Sequence, residues 1–340
     1  MKKILFFILS LPLLLFSCDI HEWPDVEEKV PVLLSVKFNV LNLKWTEWEH
    51  FDGTDKGNPN VGDTYTNELT EGKLRYTVRT VPASGLSRNG HEDYQEYVFF
   101  KDVADQSDLT ETLYMSPGEY DVMVWADYMK KGTDEAYYRI DDFSEIMLNG
   151  DITGNNDYHD AYRGIGNITL VSDVIEGEPV VSNIEMQRPL AKLELITDDL
   201  KQFLGKEVGK KSGSEPVKLE DYKVVFYYVG YRPVAYSMYT DRPVDSVTGA
   251  FFESTLKQLN DNEASLGFDY VFVNGTESAV TVQIGLYDKA GTQISFTDPI
   301  KIPLKRNFHT KVHGSFLMSN ASGGINVIPD YEGDHNLIIP

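Results

Sequence analysis

The chain has 340 residues, of which 41% are hydrophobic and 12% aromatic, and its formal net charge at pH 7 is −22. This composition can build a packed core, and the length exceeds what one core comfortably fills, so two domains are favoured. A charge this negative repels polyanions, which argues against nucleic acid or an anionic membrane surface as a binding partner.

The N-terminus has the pattern of a secretion signal. Lys2 and Lys3 precede an apolar run over residues 4–16, and signal peptides share this order of charge followed by hydrophobicity. The run is shorter than the roughly 20 apolar residues that a membrane-spanning helix needs. We therefore expect a signal peptide over residues 1–17.

The end of this signal, residues 15–18, has the sequence LFSC and resembles the bacterial lipobox. The resemblance implies that Cys18 is a lipid attachment site, thioether-linked to diacylglycerol with acyl chains such as palmitate, and that it ties the protein to a membrane. The alternative is an ordinary signal peptide with an incidental cysteine, but the whole sequence contains just this one cysteine. Lipidation of Cys18 leaves no thiol for a disulfide, a zinc site or a nucleophile.

Residues 18–31 are acidic and include Pro24 and Pro31, which predicts an extended tether that lifts the body off the membrane. Beyond it, polar and apolar residues alternate and many are β-branched or aromatic, which is typical of half-buried strands. The clearest predicted strands are residues 35–40, 74–78, 120–125, 222–229, 266–273, 280–287, 293–296 and 311–317. Residues 288–291 predict a hairpin connection.

One short helix is predicted at residues 197–204, where three apolar side chains share a face and Thr197 could cap the first turn. Residues 205–216, rich in Gly, Lys and Ser, predict a loop after it. A domain boundary is placed near residues 181–187, which gives an N-terminal domain over 32–185 and a C-terminal domain over 186–340. The predicted fold class is all-β, with two packed β-sandwiches.

Some residues in these strands receive a structural interpretation and no chemistry. Tyr120, Val122, Val124 and Tyr162 are interpreted as core and cross-strand packing, because alternating apolar residues build any sandwich. Arg188 and the proline after it are interpreted as the start of a strand.

Residues 186–195, with the sequence MQRPLAKLEL, resemble the strand that opens the second domain of the fimbrillin-associated anchor lipoproteins of Bacteroidales and of lipoproteins related to them. Further similar segments, in the same order along the chain, are residues 18–24, 117–127, 160–164, 303–307, 314–317 and 321–324. The resemblance implies two tandem transthyretin-like β-sandwich domains and a role in fimbria (pilus) assembly at the outer membrane.

In such pili, an arginine-specific protease removes the first strand of a subunit, and a strand of the next subunit fills the groove by strand addition. No arginine lies between Cys18 and Arg75, so this protease could not cut between the lipid and the end of the candidate first strand, residues 33–45. The resemblance therefore favours a lipid-anchored component that faces the cell surface and contacts a fimbrial subunit. Whether residues 325–340 pack on their own body or enter another subunit stays open.

A second function is a surface lipoprotein that binds glycan or another extracellular ligand. The 20 tyrosines and 4 tryptophans could supply stacking surfaces, and Trp45 and Trp48 are the best candidates, although packing at the edge of the core explains them more simply.

No catalytic residue or cofactor site is predicted, and the chain is expected not to be an enzyme. It contains no Gly-x-Ser-x-Gly pattern, and residues 205–211 miss the phosphate-loop pattern in spacing and in the terminal Ser or Thr.

Metal sites are disfavoured for a similar reason. His309 and His313 are four residues apart, but their neighbours predict a strand on which Lys311 would share their face. The acidic loops 52–58 and 151–160 have oxygen ligands suited to calcium but lack the EF-hand spacing. Ordinary polar turns are favoured, and calcium binding by these loops stays open.

Overall fold

The computed structural model describes residues 29–38, 44–48, 65–66, 69, 71–83, 94–103, 108–171, 179–210 and 216–318. The predicted signal peptide, Cys18, loop 52–58 and segment 325–340 lie outside these residues. Within this part of the chain, no helix has the length and apolarity needed to cross a bilayer.

The described residues form strands almost throughout, so the predicted all-β class is confirmed. The strands are β1 (Val30–Phe38), β2 (Lys44–Trp48), β3 (Tyr65–Thr66), β4 (Lys73–Pro82), β5 (Gln95–Asp102), β6 (Leu109–Met115), β7 (Gly118–Tyr128), β8 (Tyr138–Arg139), β9 (Ile146–Leu148), β10 (Ala161–Leu170), β11 (Val180–Met186), β12 (Leu190–Thr197), β13 (Lys223–Tyr228), β14 (Tyr231–Ser237), β15 (Arg242–Thr248), β16 (Phe251–Thr255), β17 (Lys257–Gln258), β18 (Ala264–Phe272), β19 (Glu277–Tyr287), β20 (Gln293–Phe296), β21 (Ile300–Lys305) and β22 (Phe308–Gly314). The helices are α1 (Leu200–Lys210) and two 3₁₀ turns, Asp157–His159 and Leu219–Asp221.

The first sandwich consists of a three-stranded sheet, β11-β1-β6, and a four-stranded sheet, β10-β7-β4-β5. Their facing side chains form one buried cluster that includes Leu34, Tyr76, Val124 and Ile184. Alternation along the sequence produces this layer, because successive strand side chains point to opposite faces of a sheet.

Two glycines bring the sheets of this sandwich together at one corner. A Cβ at Gly164 on β10 would lie 2.5 Å from Cγ2 of Ile184 and 2.7 Å from Sδ of Met186, both on β11. At Gly166 a Cβ would lie 2.5 Å from Cδ1 of Ile184. The absence of these side chains lets β10 and β11, which belong to different sheets, pack closely.

The second sandwich pairs a sheet ordered β17-β18-β12-β22-β2-β3 with a sheet ordered β16-β13-β19-β20, in which β21 also pairs with β19. The core between them includes Leu193, Leu195, Phe226 and Ile284. Helix α1 covers this core with Leu200 and Phe203, both fully buried.

Helix α1 starts later and is longer than the sequence predicts. Thr197 ends β12 and does not cap the helix, and the first intrahelical bond runs from the Phe203 N–H to the Asp199 carbonyl. The predicted loop is wrong over residues 205–210, which are helical. Burial of the apolar face outweighs the roughly 1 kcal/mol that each glycine costs a helix.

The candidate first strand, residues 33–45, is not one element. Strand β1 ends at Phe38, and the next strand, β2, runs parallel to β22 in the second sandwich, with Thr46 opposite Phe308. The expectation that this segment pairs throughout in the first sandwich is therefore wrong for Trp45. The division into domains 32–185 and 186–340 stays a prediction.

A third cluster of buried apolar residues joins the two sandwiches. It combines Trp125 and Phe143 from the first half with Tyr236 and Phe272 from the second. A small sheet, β15-β14-β9-β8, crosses the same junction, since Tyr236 on β14 pairs with Ile146 on β9.

Candidate functional site

Strand β1 is the element on which the predicted strand exchange depends. Val32, Leu34 and Val36 point into the core and are at most 1% exposed. At the far end, the ring of Phe38 contacts Tyr162 edge-on at a centroid distance of 5.1 Å, and its backbone N–H donates to Oδ1 of Asp108 at 3.2 Å. The predicted alternation is confirmed from Val32 to Val36, while Val40 lies outside the described residues.

Strand β1 occupies the middle of its sheet. Its antiparallel pairing with β6 runs from Val30 opposite Met115 to Val36 opposite Leu109. Its parallel pairing with β11 runs to Phe38 opposite Met186. Removing β1 would open a slot with an unpaired strand on each side.

On the side of the sandwich away from β10 and β11, strands β5 and β6 are the outermost of the described strands. The outer face of β5 carries exposed Val98 and Phe100, and β6 carries exposed Tyr114. An outermost strand has unpaired backbone N–H and C=O groups on its free side, so it can accept a further strand.

A buried ion pair lies where the chain passes from β11 to β12. Nε of Arg188 donates to both carboxylate oxygens of Asp160 at 2.9 Å, and its Nη1 donates to Oδ1 of Asn307 at 2.7 Å. The hydroxyl of Tyr162 donates to Oδ2 of Asp160 at 2.7 Å. Arg188 and Asp160 are fully buried, so this group links β10 of the first sandwich to the turn before β22 of the second.

The acidic loop 151–160 makes further bonds across the junction. Oδ1 of Asp157 accepts from Nζ of Lys192 at 2.8 Å and from the Tyr270 hydroxyl at 2.7 Å. Oδ1 of Asn155 accepts the backbone N–H of Phe268 at 2.9 Å. Asp157 and Asp160, two of the carboxylates considered as calcium ligands, thus accept hydrogen bonds from protein donors.

A second buried arginine, in the second sandwich, pairs with one carboxylate that also accepts a hydrogen bond from a tyrosine. Nη2 of Arg232 donates to Oδ2 of Asp269 at 2.8 Å, and the Tyr228 hydroxyl donates to the same oxygen. Both side chains of the ion pair are almost completely buried.

Burial shifts the pKa values of two other groups near the junction. It raises the pKa of Asp127 to about 6, although Arg75, whose Nη2 lies 2.7 Å from Oδ2, favours the charged form. Burial lowers the pKa of His159 to about 4. The Tyr138 hydroxyl donates to the carbonyl of His159 at 2.6 Å.

The two histidines of the predicted strand lie on β22 and each lies beside a different carboxylate. Nε2 of His309 is 3.1 Å from Oε2 of Glu194, and Nδ1 of His313 is 3.7 Å from Oε1 of Glu263. Burial lowers the pKa of His309. Among the residues with described positions, no group of three His, Cys, Asp or Glu side chains is placed to hold a metal ion.

The core interpretation is confirmed for Val122, Val124 and Tyr162, which are buried, and Tyr120 packs against the same cluster. Arg188 and the proline after it lead into β12, as interpreted, and the Arg188 side chain is in addition the centre of the buried ion pair. An arginine in an apolar stretch is the one signal of this role in the sequence, and it could not identify Asp160 as the partner. Trp45 and Trp48 lie in β2.

The sequence matches a family model over residues 35–340, and that family is described as one of unknown function, DUF6562. The chain belongs to this family. A comparison of this DUF6562 chain with curated proteins finds no significant match.

Solved structures resemble the DUF6562 chain at low sequence identity. A candidate polysaccharide-binding protein from Bacteroides thetaiotaomicron is 12% identical with a TM-score of 0.43, covering 78% of this chain and 79% of that one. A candidate adhesin from Bacteroides ovatus is 10% identical with a TM-score of 0.41, covering 79% and 75%. The fimbrial anchor protein Mfa2 from Porphyromonas gingivalis is 12% identical with a TM-score of 0.35, covering 79% and 82%. Likenesses this distant do not transfer a function to the chain.

Proposed function

We propose that the protein is a non-enzymatic lipoprotein of the cell envelope that anchors or helps to assemble a fimbria. Lipidated Cys18 ties it to the outer membrane, with the body at the cell surface. Its partner is a fimbrial subunit, which it contacts by strand addition.

The position of β1 carries this proposal. A polymerising subunit must lose its first strand, and here that strand fills the middle of a sheet with Val32, Leu34 and Val36 in the core. Burying each of these side chains contributes about 1.5–3 kcal/mol, so an uncut β1 resists displacement by a donor strand. The absence of arginine between Cys18 and Arg75 leaves an arginine-specific protease no site at which to cut β1 from the lipid.

A retained β1 leaves the free sides of β5 and β6 as the candidate acceptor edges. The twelve residues from Cys18 to Lys29 span at most about 43 Å when extended, which keeps these edges within reach of the membrane surface. Strand addition there uses backbone hydrogen bonds for affinity and alternate side chains for register.

Mass spectrometry of the protein isolated from cells tests the proposal. We expect a mature N-terminus at lipidated Cys18, with β1 still attached. A mature N-terminus anywhere from Val30 to Arg75, with the lipid gone, would place the chain among the polymerising subunits. That result would contradict the anchor proposal.

The substitution Lys29→Arg is the matched variant, because it keeps the charge and adds an arginine directly before β1. If the protein meets the arginine-specific protease, this variant should begin at Val30 and lose its lipid. If the variant stays uncut, the lack of arginine before Arg75 does not explain why β1 is retained.

The substitution Cys18→Ala tests the anchor itself. We expect it to abolish acyl labelling and to leave the protein unprocessed or released from the membrane fraction. Equal acyl labelling and equal membrane retention in this variant would contradict the lipid attachment.

A further inference from the structure

The outer face of the second sandwich carries a row of aromatic side chains that the core does not use. Phe251 on β16 lies opposite Tyr227 on β13, and Phe296 on β20 lies opposite Gly285 on β19. The ring of Tyr227 is 6.3 Å from that of Phe251 and 5.8 Å from that of Phe296, measured between centroids. We call Phe251, Tyr227, Phe296 and Tyr287 the aromatic row; it crosses four neighbouring strands, roughly 14 Å at the usual strand spacing.

A glycine allows the fourth ring to lie against the sheet. A Cβ on Gly285 would lie 2.7 Å from Cε2 and 3.2 Å from Cζ of Tyr287, so the tyrosine ring occupies the space above the glycine. A side chain at position 285 would therefore displace this ring. The Tyr287 hydroxyl lies 3.0 Å from the hydroxyl of Tyr227, which fixes the two rings relative to each other.

The polar groups beside the row include a neutral amide and a charged pair that neutralises itself. The amide of Gln283, on the strand next to Tyr227, donates to the Thr297 carbonyl at 3.0 Å. Nζ of Lys223 and Oε1 of Glu253, on the same face, form an ion pair at 2.7 Å. In a chain with a net charge of −22, this patch is therefore suited to an uncharged ligand and not to an ionic one.

We propose that the aromatic row binds a neutral glycan whose sugar rings lie flat on Phe251, Tyr227 and Tyr287. The C–H face of a pyranose is apolar and packs on an aromatic ring, while its rim of hydroxyls hydrogen-bonds to the tyrosine hydroxyls and the Gln283 amide. Phe251 is 55% exposed, which is costly for a phenyl ring in water and leaves its face accessible to a ligand. This site is independent of the proposed fimbrial role, because it lies on the other sandwich from β1, β5 and β6.

Affinity electrophoresis of the full-length protein in detergent tests the site, with gels containing hydroxyethyl cellulose, xyloglucan, arabinoxylan or galactomannan. We expect at least one of these neutral polysaccharides to slow the protein, while polygalacturonate does not. Phe251→Ala should weaken the retardation constant about tenfold, the size of one lost ring contact. Tyr287→Phe, which keeps the ring and removes its hydroxyl, should weaken it less.

Phe100→Ala is the matched control, since this phenylalanine is 52% exposed on β5 of the first sandwich. It should leave the retardation unchanged. No retardation in any neutral gel, or retardation that Phe251→Ala leaves intact, would overturn the proposal. A third outcome would overturn it as well: no gel retards the protein, and its molecular mass in solution is halved by Phe251→Ala. The row would then bind a second copy of the chain.

Discussion

His159 and Asp127 are two buried titratable residues whose pKa values move in opposite directions. The pKa of His159 falls from 6.5 to about 4 because burial disfavours the imidazolium. The pKa of Asp127 rises from 3.8 to about 6 because burial disfavours the carboxylate more than Arg75 restores it. Both groups therefore prefer their neutral forms in the folded state.

These shifts make opposite contributions to stability in an overlapping pH range. The contribution of His159 to the unfolding free energy is complete above pH 6.5 and is lost as the pH falls towards 4. The reason is that this histidine takes up a proton at a higher pH in the unfolded chain than in the folded one. The contribution of Asp127 is complete below pH 3.8 and is lost as the pH rises towards 6. Between about pH 4 and 6 the two contributions oppose each other.

We expect single substitutions to separate the two effects. Relative to the unsubstituted protein, the unfolding free energy of His159→Gln should rise as the pH falls from 6.5 to 4, and that of Asp127→Asn should fall. Each slope is limited to about 1.4 kcal/mol per pH unit, the value for one proton. Urea unfolding at several pH values measures both, and curves that stay parallel to the unsubstituted protein would contradict the assignment.

At the scale of single elements, β1 offers a direct comparison of its two faces. Leu34 is fully buried, and its neighbour Leu33 is half-buried on the opposite face. Leu34→Ala should lower the unfolding free energy by about 2–5 kcal/mol through lost burial and the cavity left behind. Leu33→Ala, the matched control, should cost clearly less. If urea unfolding shows equal losses of unfolding free energy for the two variants, the two faces of β1 are not buried to the different extents described.

Two glycine-to-alanine substitutions should change the stability of the protein in opposite directions. Gly164→Ala places a methyl group against Ile184 and Met186 at the closed corner of the first sandwich, and overpacking of this kind costs about 1–3 kcal/mol. Gly205→Ala lies in α1 with nothing within 4 Å of the new methyl group, so it should stabilise the protein by up to about 1 kcal/mol. Thermal unfolding followed by circular dichroism would distinguish them, and a stabilising Gly164→Ala would contradict the close approach of β10 and β11.

Sequence patterns predicted the elements whose cause is local. Alternation in β1 indicates directly which side chains face the core, so this strand could be predicted. Strand β7 follows from the same pattern but is buried on both faces, with Val122 and Val124 in the first core and Met123 and Trp125 in the cluster at the junction. The last turns of α1 could not be predicted, because their contacts come from outside the helix, such as the 3.1 Å hydrogen bond that the Tyr222 hydroxyl donates to Oε2 of Glu207. The parallel pairing of β2 with β22 joins segments more than 250 residues apart, and no local pattern encodes it. The aromatic row was missed for the same reason, since its members come from four strands.

At the scale of the whole molecule, Arg188 and Asp160 couple the two sandwiches. Removing one partner leaves a buried charge without its counter-charge, which costs about 3–5 kcal/mol. We expect Arg188→Met to lower the unfolding free energy by this amount and to split a single unfolding transition into two. Differential scanning calorimetry would detect the split.

The exposed pair of Lys131 and Glu71 supplies the control, because it has the same charges but is largely in solvent. Lys131→Met should leave the unfolding free energy almost unchanged, because water screens an exposed pair. Similar effects of the two substitutions would show that burial of the Arg188 pair contributes little to the junction.

The central place of β1 has a mechanical consequence. If the body is held to a membrane by the residues before Val30, tension on that tether runs along the axis of β1. The strand has seven paired residues on its β6 side and seven on its β11 side. A lengthwise pull must shear both ladders together, whereas a strand peeled from one end would lose its bonds one at a time. Tension applied before Val30 is thus resisted by the hydrogen bonds of both ladders at once.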